Sequence, residues 1–174
     1  MSIVQINFIL AFLALLGQVL VIVLLVFLLF FRKTQSKLTR IMSNIFIPLS
    51  FAVALVATSG SLYYSEIANF KPCELCWYQR IFIYPQVILL GMAWLKKEKY
   101  ILDYSLITIA IGTIISAYHN YVYYTAKSSA VCSAVAPCTQ QYIVGFGYIT
   151  VPLLALTSLI LMGVLLLSKK IIKT

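Results

Sequence analysis

Acidic residues are scarce in this sequence: 4 Asp and Glu among 174 positions, beside 13 Lys and Arg and one histidine. Charged residues of both signs make up only 10% of the chain. An ordinary soluble domain is excluded, because such domains carry about a quarter of their residues as charge. There is no Ser/Gly linker, no low-complexity tract and no polar stretch long enough for a soluble domain, so the chain reads as one integral unit. The net charge of +9 invites a nucleic-acid reading. The basic residues, however, fall in short tracts between apolar runs rather than along one face of a polar domain, so no nucleic-acid partner is expected. What is abundant is apolar surface: 63% of residues are hydrophobic and the mean hydropathy is +1.01. Soluble domains run about 45–50% apolar. A bilayer is the solvent that accepts the excess.

A membrane-spanning helix needs about 20 apolar residues. Five stretches qualify: Ile6 to Phe31, Ile41 to Tyr64, Trp77 to Leu95, Tyr100 to Tyr124 and Ile149 to Leu167. Arg32, Lys33, Lys37 and Arg40 follow the first, Lys96, Lys97 and Lys99 the third, and Lys169, Lys170 and Lys173 the fifth. In a five-span chain these tracts share a side, and the positive-inside rule makes it the cytoplasm. The N-terminus and the loops Ser65 to Cys76 and Thr125 to Tyr148 then face outward, with Lys71 and Lys127 as their only basic residues. The first stretch lacks a basic n-region and exceeds a signal h-region in length, so it is expected to be an uncleaved helix.

All four cysteines fall in or beside the outward loops: Cys73, Cys76, Cys132 and Cys138. The topology came from charge alone, and it places every thiol where disulfides persist. Cys73-Glu74-Leu75-Cys76 follows Pro72 and leads into the third stretch. Two thiols at a helix start can close a short disulfide, and the helix N-terminus favours the reactive thiolate. A loop that short gains little entropic stabilisation from a bond, which argues against an inert staple. Arg80 lies one turn further along the same face. An arginine in an apolar segment costs free energy, so it is a candidate functional cation, with snorkelling to headgroups as the bland alternative. Cys132 and Cys138 lie in a loop of about 24 residues, long for a connection. That loop is rich in Ser128, Ser129, Ser133, Thr139, Gln140 and Gln141. The pair reads either as a mobile exchangeable disulfide or as a structural one. His119 stands near the outer end of the fourth stretch at about the depth of Arg80. It is either a satisfied polar contact or, with Arg80, one of two hands on a polar head group such as a quinone. Aromatic residues, among them Tyr63, Tyr64, Trp77, Tyr78, Tyr121 and Tyr148, crowd the outer boundary as an interfacial belt.

The run Pro72-Cys73-Glu74-Leu75-Cys76-Trp77-Tyr78-Gln79-Arg80-Ile81 with Tyr84-Pro85 closely resembles the DsbB/BdbC family of disulfide-bond formation proteins. Pro137-Cys138-Thr139-Gln140-Gln141-Tyr142, Phe146-Gly147-Tyr148-Ile149-Thr150-Val151-Pro152 and Tyr118-His119 carry the same resemblance, which covers roughly Ile41 to Leu167. It implies an all-α integral membrane four-helix bundle over residues 41–174, with residues 1–40 supplying an extra N-terminal transmembrane helix and a basic cytoplasmic loop. It further implies a bacterial cytoplasmic membrane and a quinone cofactor, ubiquinone or menaquinone. The partner it implies is a DsbA-like thioredoxin-fold protein. Carried over residue by residue, Cys132 is attacked by the partner, Cys138 exchanges with Cys73, and Cys76 forms the thiolate nearest the quinone. Arg80 and His119 support the quinone. The short Cys132–Cys138 spacing resembles the Gram-positive type. No metal is expected. Rival readings are a four-thiolate zinc site, a vitamin K epoxide reductase-like enzyme, in which the C-x-x-C follows the loop cysteines rather than preceding them, and a tetraspan-like scaffold.

Overall fold

In a computed structural model, residues 3–31, 37–96, 100–125, 132, 138 and 143–173 are described. The basic tracts at 32–36 and 97–99, and the loop residues Lys127, Ser128, Ser129, Ser133, Pro137 and 139–142 named above, lie outside them.

Five long helices account for most of the described chain: α1 (Ile3–Phe31), α2 (Lys37–Leu62), α3 (Glu74–Lys96), α4 (Tyr100–Thr125) and α5 (Val151–Lys173). The molecule is the expected all-α membrane bundle with one additional N-terminal helix. α2, α3, α4 and α5 form a closed ring in which each packs on two neighbours, while α1 lies outside the ring along α5. Ala54, Ile83, Leu90, Ile109, Leu159 and Met162 fill the centre of the ring. The outward surface is apolar: Phe8, Ile22, Ile88 and Ile114 are all more than 60% exposed. Lipid is the environment in which such a surface is stable.

By length and composition, α1, α2, α4 and α5 each contain a segment apolar enough to cross a membrane. α3 falls short of that measure although it is 23 residues long. The reason lies in its sequence, which holds Glu74, Gln79, Arg80, Gln86 and Lys96. Gln79 and Gln86 are buried and spend their polarity inside the bundle. Gln79 Nε2 donates to Ser116 Oγ of α4 at 2.8 Å, and Gln86 Nε2 donates to Thr108 Oγ1 at 2.8 Å while Gln86 Oε1 accepts from Ser105. Interhelical hydrogen bonds of this kind hold helices together where lipid removes the hydrophobic incentive. Gly112 brings α3 and α4 closest, since a Cβ there would stand 2.7 Å from Phe82 Cβ.

Two local features set the cysteine end of the bundle. α2 runs into a single π-helical turn, Tyr63–Ile67, closed by the Ala68 N–H donating to the Tyr63 carbonyl at 3.0 Å. Asn69 then takes a left-handed φ of 55°, and the chain turns towards α3. On the other side, β1 (Ile143–Gly145) and β2 (Ile149–Thr150) form a small antiparallel hairpin. Its reversal places Phe146 and Gly147 at φ of 51° and 73°, the backbone of a tight primed turn. Sequence pattern alone starts the last helix at Ile149. In the structure Ile149 and Thr150 are strand, and Thr150 Oγ1 accepts from the Leu153 N–H at 3.4 Å, capping α5 with Pro152 in its first turn.

Candidate active site

Cys73 is the N-cap of α3: its carbonyl accepts the first helical hydrogen bond, from the Trp77 N–H at 3.1 Å. Cys76 therefore sits in the first turn, and the two sulfurs meet at 3.2 Å as free thiols sharing a hydrogen bond. α4 delivers His119, 1% exposed, with Nε2 3.7 Å from Cys73 Sγ. The hydrogen bond with Cys76 is the main cause that holds the Cys73 thiol down, to about 4; burial opposes it, and the hydrogen bond and charge of His119 reinforce it. The unpaired N–H groups of the helix start favour the same anion. The two sulfurs thus share one hydrogen bond, and Cys73 is the thiol held down.

One turn past Cys76, Arg80 does not stretch out to the surface. Its Nε donates to Ser61 Oγ at 3.0 Å and a terminal nitrogen donates to the Ser61 carbonyl at 3.1 Å, both on α2. Tyr84 O–H donates to Ser61 Oγ at 3.2 Å, and the guanidinium lies 5.0 Å from the Trp77 ring centre. The cation is held by fixed dipoles and a π-face, which offsets part of its cost in an apolar zone. Behind the site, Asn120 Nδ2 donates to the carbonyls of Ser116 at 2.8 Å and Pro152 at 3.0 Å, tying α4 to the start of α5.

Cys132 and Cys138 are joined as a disulfide with Cα atoms 5.8 Å apart. This pair does not sit apart from the first. Cys138, 4% exposed, and Cys73, 5% exposed, belong to one buried cluster with Leu75 and Val122. Cys76 and Cys132 pack against that cluster, only partly buried.

The cluster opens into a cavity of about 400 Å³. Its cysteine end is lined by Cys73, Cys76, Cys138, Gln79, Arg80 and His119, and its remainder is mostly apolar. Small-molecule sites run from about 300 to 1,000 Å³. His119 Nδ1 is buried without a hydrogen-bond partner among the described residues, a polar atom awaiting a ligand. A flat ring with carbonyl oxygens and an apolar tail, the quinone of the sequence analysis, fits this lining: Arg80 and His119 would hold its oxygens and the aliphatic walls its tail. The donor atoms of Cys73, Cys76 and His119 also lie within 4.8 Å of one another, close enough to bind one metal ion. Four thiolates around zinc are not assembled here, because Cys132 and Cys138 are bonded to each other.

All six residues singled out in the sequence thus meet in one cluster and its cavity. Sequence reasoning missed Ser61, which fixes Arg80, and Gln79 as a lining residue. Both had a signal, since each is a polar residue within an apolar helix.

A helical membrane bundle that holds a dithiol and a disulfide in one buried cluster, at the head of an apolar cavity, defines a class of membrane thiol–disulfide protein. A family model described as disulfide bond formation protein DsbB matches residues 43–168. A probable disulfide formation protein C 1 of Bacillus anthracis is 48% identical over 117 residues, 66% of this chain and 84% of the relative. Disulfide bond formation protein C of Bacillus subtilis is 45% identical over 119 residues, 67% of this chain and 86% of the relative. A probable disulfide formation protein of Oceanobacillus iheyensis is 38% identical over 134 residues, 75% and 92% respectively. No solved structure matches significantly. The chain belongs to the DsbB family of disulfide bond formation proteins.

Proposed function

We propose that this protein is a quinone-dependent dithiol oxidase that reoxidises a DsbA-like thioredoxin-fold partner on the extracytoplasmic side of a bacterial cytoplasmic membrane. The observation that carries the reading is the shared burial of Cys73 and Cys138, with Cys132 left partly exposed. A thiolate of the reduced partner attacks Cys132, breaking the Cys132–Cys138 bond and releasing Cys138 as a thiolate. The partner's second thiolate then attacks its own mixed-disulfide sulfur, so the partner leaves oxidised and Cys132 leaves reduced. Cys138 attacks Cys73 of an oxidised Cys73–Cys76 pair, and Cys76 departs as a thiolate beside Arg80. Attack of Cys132 on Cys138 restores the loop disulfide and leaves Cys73 and Cys76 reduced. A bound quinone supplies the two-electron, two-proton acceptor that lets Cys73 and Cys76 close again. Exchange of this kind follows thiolate attack, with direction set by reduction potential. At the moment of exchange the charge is on Cys76, while in the resting dithiol Cys73 is the thiol held down, by its hydrogen bond with Cys76 first and by His119 after it. Arg80 and His119 orient the acceptor, and residues 41–174 form the catalytic unit.

Trapping tests the order. In a Cys76→Ser, Cys132→Ser double variant only Cys73 and Cys138 remain, and mild oxidation is expected to join them within one chain. Their failure to pair, seen by peptide mass mapping, would break the relay between the two halves.

The proximity of two thiols and an imidazole favours a second reading, a metal site at Cys73, Cys76 and His119. Stoichiometric zinc in protein purified without reductant or chelator, with Cys73 and Cys76 protected from alkylation, would favour it over the relay.

A further inference from the structure

α1 lies outside the segment that the family model matches, residues 43–168, yet it contributes to the cavity. Leu10, Leu13, Gly17 and Leu20 line one side, and Leu49, Val53, Val56 and Gly60 of α2 are among the residues opposite. At each end of this space α1 is joined to the rest of the bundle. At the cysteine end Tyr64 O–H donates to Asn7 Oδ1 at 2.9 Å, and Tyr64 packs with Ala11 and Ala14. At the far end Leu24 and Phe46 share a cluster with Leu161 and Leu165. α1 is held in register along α5, where Gln18 Nε2 donates to Thr157 Oγ1 at 3.4 Å and Gly17 admits Leu161 and Thr157 to its backbone.

A slot is left between the two contacts. From Leu10 to Leu20 it runs about 15 Å along the bundle at 1.5 Å per residue. Its charged lining is at the cysteine end, and beyond it Thr157 and Ser158 of α5 are the polar exceptions in a predominantly aliphatic lining. A ring the size of a quinone head fills the cysteine end alone.

From this geometry we propose that α1 is the tail-binding wall of the acceptor site: it closes a lateral slot over α2 and α5 and selects for quinones with a long apolar side chain. The proposal rests on the quinone reading above and deepens it. Without α1 the same flank of the four-helix ring would be open to lipid, and a tail there would gain little over its solvation by acyl chains. With α1 in place, selection by the protein becomes a matter of side-chain packing along the slot.

The test uses the full chain in detergent with a polyprenyl quinone carrying a photoreactive group on its tail, and a tail-less quinone for comparison. Irradiation of the wild type is expected to label peptides covering residues 10–20. Leu13→Trp, which fills the slot from a half-exposed position, is expected to raise KM for the tailed quinone about tenfold more than for the tail-less one and to suppress the label. Ile22→Trp, on the lipid face and 62% exposed, is expected to do neither. Labelling confined to α2–α5, or equal KM changes for the two quinones, would overturn the role of α1 while leaving the quinone reading standing. A wild type that neither reduces nor takes label from any quinone would remove both.

Discussion

The Cys73 thiol is held down by its neighbours, Cys76 first and His119 after it, rather than by its own position in the sequence. The N-cap geometry was legible, because Pro72 and a C-x-x-C before an apolar run announce a helix start. The imidazole was not: His119 is 46 residues away, and only packing of α4 on α3 brings it to 3.7 Å. The thiolate absorbance of the reduced protein is expected to persist from neutral pH down to the region of about 4, where Cys73 protonates. Cys76→Ala should move that titration upward most, and His119→Ala upward by less, as read by ultraviolet titration. The linkage follows in sign. A thiol held lower in the folded than in the unfolded chain stabilises the reduced fold fully above the free thiol value of about 8.5. That stabilisation falls away with decreasing pH and is lost as pH drops through about 4. Arg80 shows the same division between what sequence reveals and what packing adds. Its cost in an apolar helix marked it as a candidate, but its partner Ser61 lies on another helix. Ser61→Ala is expected to raise KM for quinone about threefold to tenfold with kcat little changed, and Ser61→Thr to restore it. An equal fall in kcat and kcat/KM would contradict a positioning role.

At the scale of elements, apolar runs gave the helices within a few residues, because bilayer thickness sets their length. The misplacement at Ile149 and Thr150 has a definite cause: a two-residue strand is too short to interrupt an apolar run, and only pairing with β1 exposes it. The π-turn at Tyr63–Ile67 is likewise invisible in a stretch that reads as continuous helix. Helix–helix approach is where single residues weigh most. Gly112→Ala would place a methyl 2.7 Å from Phe82 Cβ, so α3 and α4 must move apart. Overpacking of this kind costs about 1–3 kcal/mol. Gly17→Ala meets Leu161 and Thr157 at 3.5 Å, an ordinary contact, and should cost much less. Thermal unfolding in detergent is expected to separate the two variants, with Gly112→Ala clearly lower. Equal melting would mean that the α3–α4 interface yields more easily than its packing implies.

For the whole molecule, composition alone required a membrane, and the placement of all four cysteines between apolar stretches pointed to one end of a bundle. The meeting of the two pairs was legible only through the family resemblance, which implies exchange of Cys138 with Cys73, since 55 residues separate Cys76 from Cys132 and nothing local joins them. The contribution of α1 to the cavity was hidden, because its hydropathy marks it only as a span. The claim that unites these scales is that electrons enter at Cys132–Cys138 and leave through Cys73–Cys76. Quinone-dependent oxidation of a reduced DsbA-like protein by the purified chain, wild type against Cys132→Ser, tests it most directly. The account predicts that Cys132→Ser still lets quinone close the Cys73–Cys76 pair but no longer turns over the partner. Turnover of the partner by Cys132→Ser at the wild-type rate would contradict it.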